Sequence, residues 1–280
     1  MILTAGRRPD ELRRAFESVR RQRGVEVEVV VVGNGADPGP MPAPAQVVVL
    51  PSNLGIPAGR NAGVRHVRGE LLFFLDDDAQ IAEEDALARV ARAFADEPEL
   101  GLLQLRVKDP DGRPPPRTWV PRLRVGDPAR SSEVTTVWEG AVAARRRAFD
   151  EAGGWPDHFR YCHEGVDLAW RVIDRGYRVR YAGEVVALHP AFPVARHSFS
   201  HHMCARNRVW LARRHLPLPL AVAYATAWFL ATAARLRRSR DMSALLRGYR
   251  DGLRQPCGER RPLRWRTLWR MTVVGRPPIV

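Results

Sequence analysis

The 280-residue sequence is almost without lysine. Lys108 is the only one, so the strongly basic balance, +14 with a pI near 11.1, rests on arginine. Such a surplus admits phosphorylated ligands, nucleic acid or an anionic membrane face as partners, and it also follows from a codon bias toward arginine. The chain lacks the recognition-helix motif and the aromatic–basic strand pattern of nucleic-acid readers, so nucleic acid is not an expected partner. Cysteine is scarce: Cys162, Cys204 and Cys257 are widely spaced and odd in number. With no metal-type spacing and no disulfide framework, they fit a reducing compartment. No charged segment followed by an apolar run opens the chain, so no secretory leader is expected, and there is no internal repeat. An apolar fraction of 45% excludes a disordered chain.

What is present alternates. Ile2 to Thr4 reads as a strand end. Leu12, Ala15, Phe16 and Val19 follow at helical spacing, and Val27 to Val32 is a β-branched run ending at Gly33-Asn34-Gly35. After a proline-rich loop and a short strand, Val47 to Leu50, a glycine-rich turn opens a helix running to about Val67. Leu71 to Leu75 is a strand, Leu87 to Phe94 marks a helix and Leu100 to Val107 another strand. This order predicts βαβ units and a mostly parallel sheet flanked by helices. Further on, Val134 to Ala143 reads as a strand, and Arg145 to Ala152 as a helix stopped by Gly153-Gly154. Glu164 to Arg175 reads as a helix stopped by Gly176, and Tyr177 to His189 as two short strands.

The composition shifts near residue 216. Leu216 to Ala234 carries no charge and is bracketed by Arg213, Arg214 and His215 before and Arg235, Arg237 and Arg238 after. The run approaches the ~20 residues of a membrane span. Pro217 and Pro219 in its first turn, and its many alanines, favour an interfacial helix or one packed on the preceding domain.

The most specific feature is the apolar strand that stops at Asp76-Asp77-Asp78. In a parallel sheet, ligands bind beyond the carboxyl ends of the strands. Three adjacent carboxylates there repel one another, and a divalent cation, Mg²⁺ or Mn²⁺ for oxygen ligands, offsets this. The alternative is a solvated acidic cap continued by Glu83 to Asp85. Upstream, Gly55, Gly59 and Gly63 surround Arg60 and Asn61, a turn that lets the backbone approach a phosphate without matching a dinucleotide or P-loop fingerprint.

In order along the chain, the strand into Gly33-Asn34-Gly35, then Asn53-Leu54-Gly55, Gly59 to Gly63 and Phe74 to Asp78 resemble the family 2 glycosyltransferases of the GT-A fold. The likeness is to bacterial, rhamnosyltransferase-like members. Downstream, Arg146 to Trp155, His163 to Leu168 and Tyr181 to Pro190 continue it, so it covers roughly residues 2–215. It implies a catalytic domain over 1–215, with a nucleotide-sugar half at 1–107 and an acceptor half at 108–215. A basic helical extension at 216–280 would associate with a membrane through its charge and apolar run. It further implies inverting transfer of a sugar from a UDP- or dTDP-linked donor to the hydroxyl of a saccharide, lipid-linked or small-molecule acceptor. The setting would be cell-wall or surface-polysaccharide assembly, in the cytoplasm or at the inner face of the plasma membrane.

The same resemblance carries over to residues. Thr4, Arg8, Asn34, Asn53, Gly55, Arg60, Asn61, Asp76 and Asp77 would line the donor pocket. Asp78, Asp76 and His189 would hold the metal, and Trp138 and Glu139 lie where the acceptor side is shaped. Two departures stand out. The family's usual base is the second acid of a Glu-Asp pair, and here that position is Gly165. The role falls to Glu164, at the mouth of the helix, or to Asp167, whose alternative is an ion pair with Arg171 at i,i+4. In the loop after the second strand the family often has an aspartate for the nucleotide base; here only Asn34 can bond it. A sugar nucleotidyltransferase and a non-catalytic relative are the alternatives. The first is disfavoured by the short loop Ala5 to Pro9, and the second is kept open by Gly165.

Overall fold

The computed structural model describes residues 1–191, 198–236 and 241–278. The β-branched run Val30–Asn34 forms β2, buried along its whole length, as a strand covered on both faces must be. It pairs in parallel with β1 (Ile2–Thr4) and β3 (Gln46–Leu50), and β1 pairs in parallel with β4 (Leu71–Asp76). The connection α1 (Pro9–Arg20) has proline in its first turn, Asp10 and Glu11 at its positive end, and Leu12, Ala15, Phe16 and Val19 on its buried face. Helix α2 (Ile56–Val64) makes the second crossover.

Beyond β4 the sheet turns mixed. β8 (Ala141–Arg145) lies antiparallel between β4 and β6 (Leu100–Lys108), and β6 pairs in parallel with β9 (Arg178–Leu188). β5 (Gln80–Ile81) and β7 (Ser132–Glu133) add antiparallel to β9. Among the described residues nine strands form one sheet, ordered β3-β2-β1-β4-β8-β6-β9-β5 with β7 on β9. Helix α1 and α3 (Ala86–Asp96) cover one face, over Ile2, Leu75 and Leu103. Helices α4 (Arg146–Ala152), α5 (Glu164–Asp174) and α6 (Ser198–His215) cover the other, over Leu72, Phe74, Trp155 and Trp170. This is the GT-A architecture.

Three expectations need correction. Residues 134–140 are irregular, not strand, although Val134 and Val137 are buried; the apolar signal there reports burial of a loop that crosses to β8. Residues 178–188 form one strand rather than two. The apparent break near Gly183 is a shift in the pairing with β6, between Leu105–Ala182 and Arg106–Val186. Cys162 and Cys204 are joined by a disulfide with Cα atoms 5.5 Å apart, and Cys257 is free and buried. Spacing could not reveal the pair, because only the return of α6 against the segment before α5 brings the two together. The cysteine argument for a reducing compartment falls with it.

The C-terminal segment folds as α7 (Leu218–Leu236), α8 (Met242–Arg254) and α9 (Trp265–Val273). Helix α8 crosses α6 closely at Gly248, where a Cβ would lie 2.5 Å from the His202 carbonyl oxygen. Among the described residues no helix is long and apolar enough to cross a membrane. The uncharged run lies in α7, which packs Ala221 and Tyr224 and leaves Leu218, Val222 and Leu230 exposed. Arg237 and Arg238 lie outside the described residues.

Candidate active site

The carboxyl ends of β1, β2 and β4 deliver Thr4, Asn34 and Asp76 to one edge of the sheet. A cleft of about 1780 Å³ opens there, as expected where parallel strands end. Thr4, Arg8 and the three aspartates line it from the strand ends. Asn34, Asn53, Gly55 and Arg60 line a second wall, and Trp138, Glu139, Glu164 and His189 are part of the lining opposite.

The three aspartates differ in partner. Asp76 accepts a hydrogen bond from the Arg60 guanidinium at 2.7 Å, and Arg60 is 2% exposed and lies over the Trp155 ring. Asp77 accepts from the Thr4 hydroxyl at 2.7 Å and pairs with Arg8 at 3.3 Å. Burial lifts its carboxyl above the usual range, against the pull of Thr4 and Arg8. Asp78 is in contact with Arg8 and lies 3.1 Å from His189 Nε2.

Asp76, Asp78 and His189 each offer one ligand atom, all within 4.8 Å of one another. Two carboxylates and an imidazole suit Mg²⁺ or Mn²⁺. His189 is firmly oriented. Its Nδ1 lies 2.9 Å from the Pro190 carbonyl, which turns Nε2 toward the aspartates. Its ring meets Trp119 and Trp138 edge-on, and burial lowers its pKa, keeping the imidazole neutral.

Asn34 does not face the cleft as a free amide. Its Nδ2 donates to the Gly55 carbonyl at 3.0 Å and to Asn53 Oδ1 at 3.3 Å, while its Oδ1 accepts from Leu54 N at 2.9 Å. Both ends of the side chain therefore shape the loop 53–55 at the cleft wall that Asn34 lines. Gly55 needs its φ of +91°, and a Cβ there would lie 2.7 Å from Arg160 Cα.

The mouth of α5 is held by unusual backbone. Arg160, Cys162 and His163 all have positive φ, a costly conformation for non-glycine residues that persists only where the surroundings enforce it. Asn207 of α6 enforces it, donating to the carbonyls of Phe159, Tyr161 and Cys162, and the disulfide adds a covalent tie. Glu164 follows, 3% exposed, with Oε2 unpaired. Burial, then the neighbouring Glu139, push its carboxyl up to about 8. Glu139 Oε1 accepts from Gly165 N at 2.6 Å.

Two expected site residues lie elsewhere. Asn61 does not line the cleft: its amide bonds Trp155 N and O and Asp157, pinning α2 to the turn after α4. Asp167 is fully buried behind α5, bound to Arg171 at 2.5 Å, His215 at 2.6 Å and Arg214 at 3.2 Å. Burial works to raise its carboxyl, but these three partners outweigh it and hold it far below the usual range. It is a structural ion and not a base. Sequence reasoning missed Trp119, which walls the cleft beside Trp138, and Asn207. Neither carries a local signal, since each matters only through contacts distant in sequence.

Comparison with known proteins bears on this site. Residues 1–153 match the family described as Glycosyl transferase family 2. The O-antigen biosynthesis protein RfbC of Myxococcus xanthus is 25% identical over 187 residues, 58% of this chain; the match spans only 14% of that protein's length. Among solved structures, the mannosyltransferase PcManGT from Pyrobaculum calidifontis, in complex with GDP-Man and Mn²⁺, covers 98% of this chain and 83% of its own. It aligns with TM-score 0.57 at 20% identity. TarS of S. aureus with UDP-GlcNAc covers 90% and 79%, with TM-score 0.60 at 14% identity. GalNAc-T7 with UDP, GalNAc and Mn²⁺ covers 91% and 55%, with TM-score 0.64 at 14% identity. The family match extends over more than half of the chain and takes in the strand ends that carry Thr4, Asn34 and Asp76 to Asp78, so the chain belongs to glycosyltransferase family 2.

Proposed function

We propose that the chain is an inverting, metal-dependent glycosyltransferase that moves a sugar from a UDP- or dTDP-linked donor to an acceptor hydroxyl in surface-polysaccharide or glycoconjugate assembly. The observation that carries this is the convergence of Asp76, Asp78 and His189 at the carboxyl edge of the sheet, inside a cleft large enough for a nucleotide sugar. Mg²⁺ or Mn²⁺ held by these three would stabilise the charge that develops on the departing diphosphate. Arg8 adds positive charge beside Asp77 and Asp78, and Arg60, paired with Asp76, adds it at the cleft floor. Thr4 fixes the Asp77 carboxylate toward the donor wall. Residues 1–107 form the donor side and 108–215 bring Trp138, Glu139 and Glu164 to the acceptor side. Nucleotide sugars bound to the structural neighbours support the donor class, and the O-antigen relative supports the pathway.

The test is thermal stabilisation by UDP-glucose, UDP-GlcNAc, GDP-mannose and dTDP-rhamnose, each with Mn²⁺ or Mg²⁺ and with EDTA. A donor at 100 times its Kd adds about 2.7 kcal/mol of stability. A metal-dependent shift with one nucleotide class, absent in Asp78→Ala, is the expected result. Folded protein that responds to none of them would favour a non-catalytic relative.

The acceptor side carries a surface suited to lipid. Helix α9 presents Trp265, Trp269 and Val273, four residues apart and each about 70% exposed, among Arg264, Arg266 and Arg270. Exposed tryptophans with arginines favour an anionic bilayer interface, and this surface would seat the enzyme at the inner face of the plasma membrane. The protein should co-sediment with phosphatidylglycerol-containing vesicles and not with pure phosphatidylcholine, and Trp265→Ala/Trp269→Ala should abolish it. Equal recovery with both vesicle types, or with neither, would refute a charged lipid surface as partner.

A further inference from the structure

Helix α5 opens on Glu164, and its second residue, Gly165, offers no side chain to the cleft. The room is filled from another element. A Cβ on Gly165 would lie 2.7 Å from Glu139 Oε1, 2.9 Å from Glu139 Cδ and 2.4 Å from the Val137 carbonyl oxygen. The carboxylate of Glu139, carried by the irregular segment before β8, thus occupies the volume that a side chain at 165 would take. It is anchored there by the 2.6 Å hydrogen bond from Gly165 N. That amide is one of the unpaired donors of the helix's first turn, at the positive end of its dipole, and it favours an ionised carboxylate.

The two glutamates are placed differently. Both line the cleft, but Glu139 is half-buried, whereas Glu164 is 3% exposed and its Oε2 has no partner. We propose that Glu139 is the catalytic base of the transfer and that Glu164 is a positioning residue behind it. The proposal rests on the glycosyltransferase reading and assigns a role within it. Neighbouring buried carboxylates do not both ionise readily. Burial and Glu139 push Glu164 up to about 8, so Glu164 holds the proton at neutral pH. Burial raises Glu139 as well, toward the range where a base is effective. Arg60 from α2 opposes these shifts and Asp76 from β4 adds to them.

The step balances. Glu139 takes the proton of the acceptor hydroxyl, and the acceptor oxygen bonds to the anomeric carbon from the side opposite the diphosphate. The bond from that carbon to the diphosphate oxygen breaks, and its electron pair leaves with the nucleoside diphosphate. Glu164 keeps its proton throughout. Its protonation spares Glu139 a second negative neighbour and leaves Glu139 as the carboxylate open to the acceptor.

Two measurements test this independently. The first follows release of nucleoside diphosphate from whichever of the four nucleotide sugars gives the largest thermal shift, with water as the acceptor. Glu139→Gln should lower kcat by about 10²–10⁴-fold with donor KM unchanged, and Glu139→Asp should recover part of the loss. Glu164→Gln should lower kcat by less than about tenfold, the size of an effect that stops short of proton transfer. A large loss in Glu164→Gln with near-normal turnover in Glu139→Gln would overturn the assignment. The second needs no donor. In ¹³C-glutamate NMR, with the two residues assigned through the same two Gln variants, Glu139 should be ionised and Glu164 protonated at neutral pH. The reverse order overturns the proposal whether or not a donor binds. Absence of any nucleotide-dependent shift beside the expected NMR order would instead count against the glycosyltransferase reading.

Discussion

Asp167→Ala should cost roughly 3–5 kcal/mol of stability, the loss that follows when one member of a buried ion cluster is removed. Asp167 is fully buried and is the shared counter-charge of Arg171, Arg214 and His215, whose side chains are 16%, 11% and 2% exposed. Without it, two guanidiniums stay largely buried with their charge uncompensated and His215 Nε2 loses its partner. For a chain of this size the melting temperature should fall on the order of 10 °C. The cluster joins α5 to the end of α6, so the effect is on folding; at temperatures where the variant is folded, metal-dependent stabilisation by a donor should persist. A loss below about 1 kcal/mol would mean that Arg171, Arg214 and His215 find other partners. Loss of donor response at full stability would return Asp167 to the site.

Glu164→Gln should change the pH dependence of stability in the opposite sense. The Glu164 carboxyl is raised from 4.5 to about 8 in the folded protein. A raised folded pKa gives a contribution that is complete below the unfolded value and lost as pH climbs through the folded one. The wild type should therefore lose stability between about pH 4.5 and pH 8 on account of Glu164, and the neutral amide should not. At 1.36 kcal/mol per pKa unit the full difference is on the order of 3–5 kcal/mol. Part of it is returned, because removing Glu164 also relieves Glu139. His158, His163 and His189, all lowered by burial, tilt both proteins the other way near pH 6. The informative quantity is thus the difference in melting temperature between variant and wild type, which should grow steadily from pH 5 to pH 8.5. A flat difference would mean that Glu164 is ionised throughout.

Much of the sheet edge that carries Thr4, Asn34 and Asp76 was legible in the sequence because it is local. A β-branched run, a glycine-rich turn and an apolar strand that stops at three aspartates each declare their structure within a few residues. Parallel strands then fix where their ends converge. The place of His189 just past a late strand was legible in the same way. The opposite wall of the cleft was harder because its order comes from contacts far apart in sequence. The segment 134–140 has strand-like composition and no strand partner, and Asn61 follows a conspicuous arginine yet faces the protein. Asn34 keeps the chemistry expected of it and spends it on the loop 53–55. Nothing near Gly165 in the sequence reveals that the carboxylate of Glu139 fills the space beside it.

The Cys162–Cys204 link also has a thermodynamic side. It closes a loop of 42 residues that contains α5 and β9. Tying the ends of such a loop removes roughly 4 kcal/mol of conformational freedom from the unfolded chain by the chain-entropy account. Part of what keeps the three left-handed residues before Glu164 in place is then no native contact at all. It is the poverty of the unfolded ensemble, and the backbone strain at the mouth of the cleft is held against a denatured state made less roomy by one covalent bond.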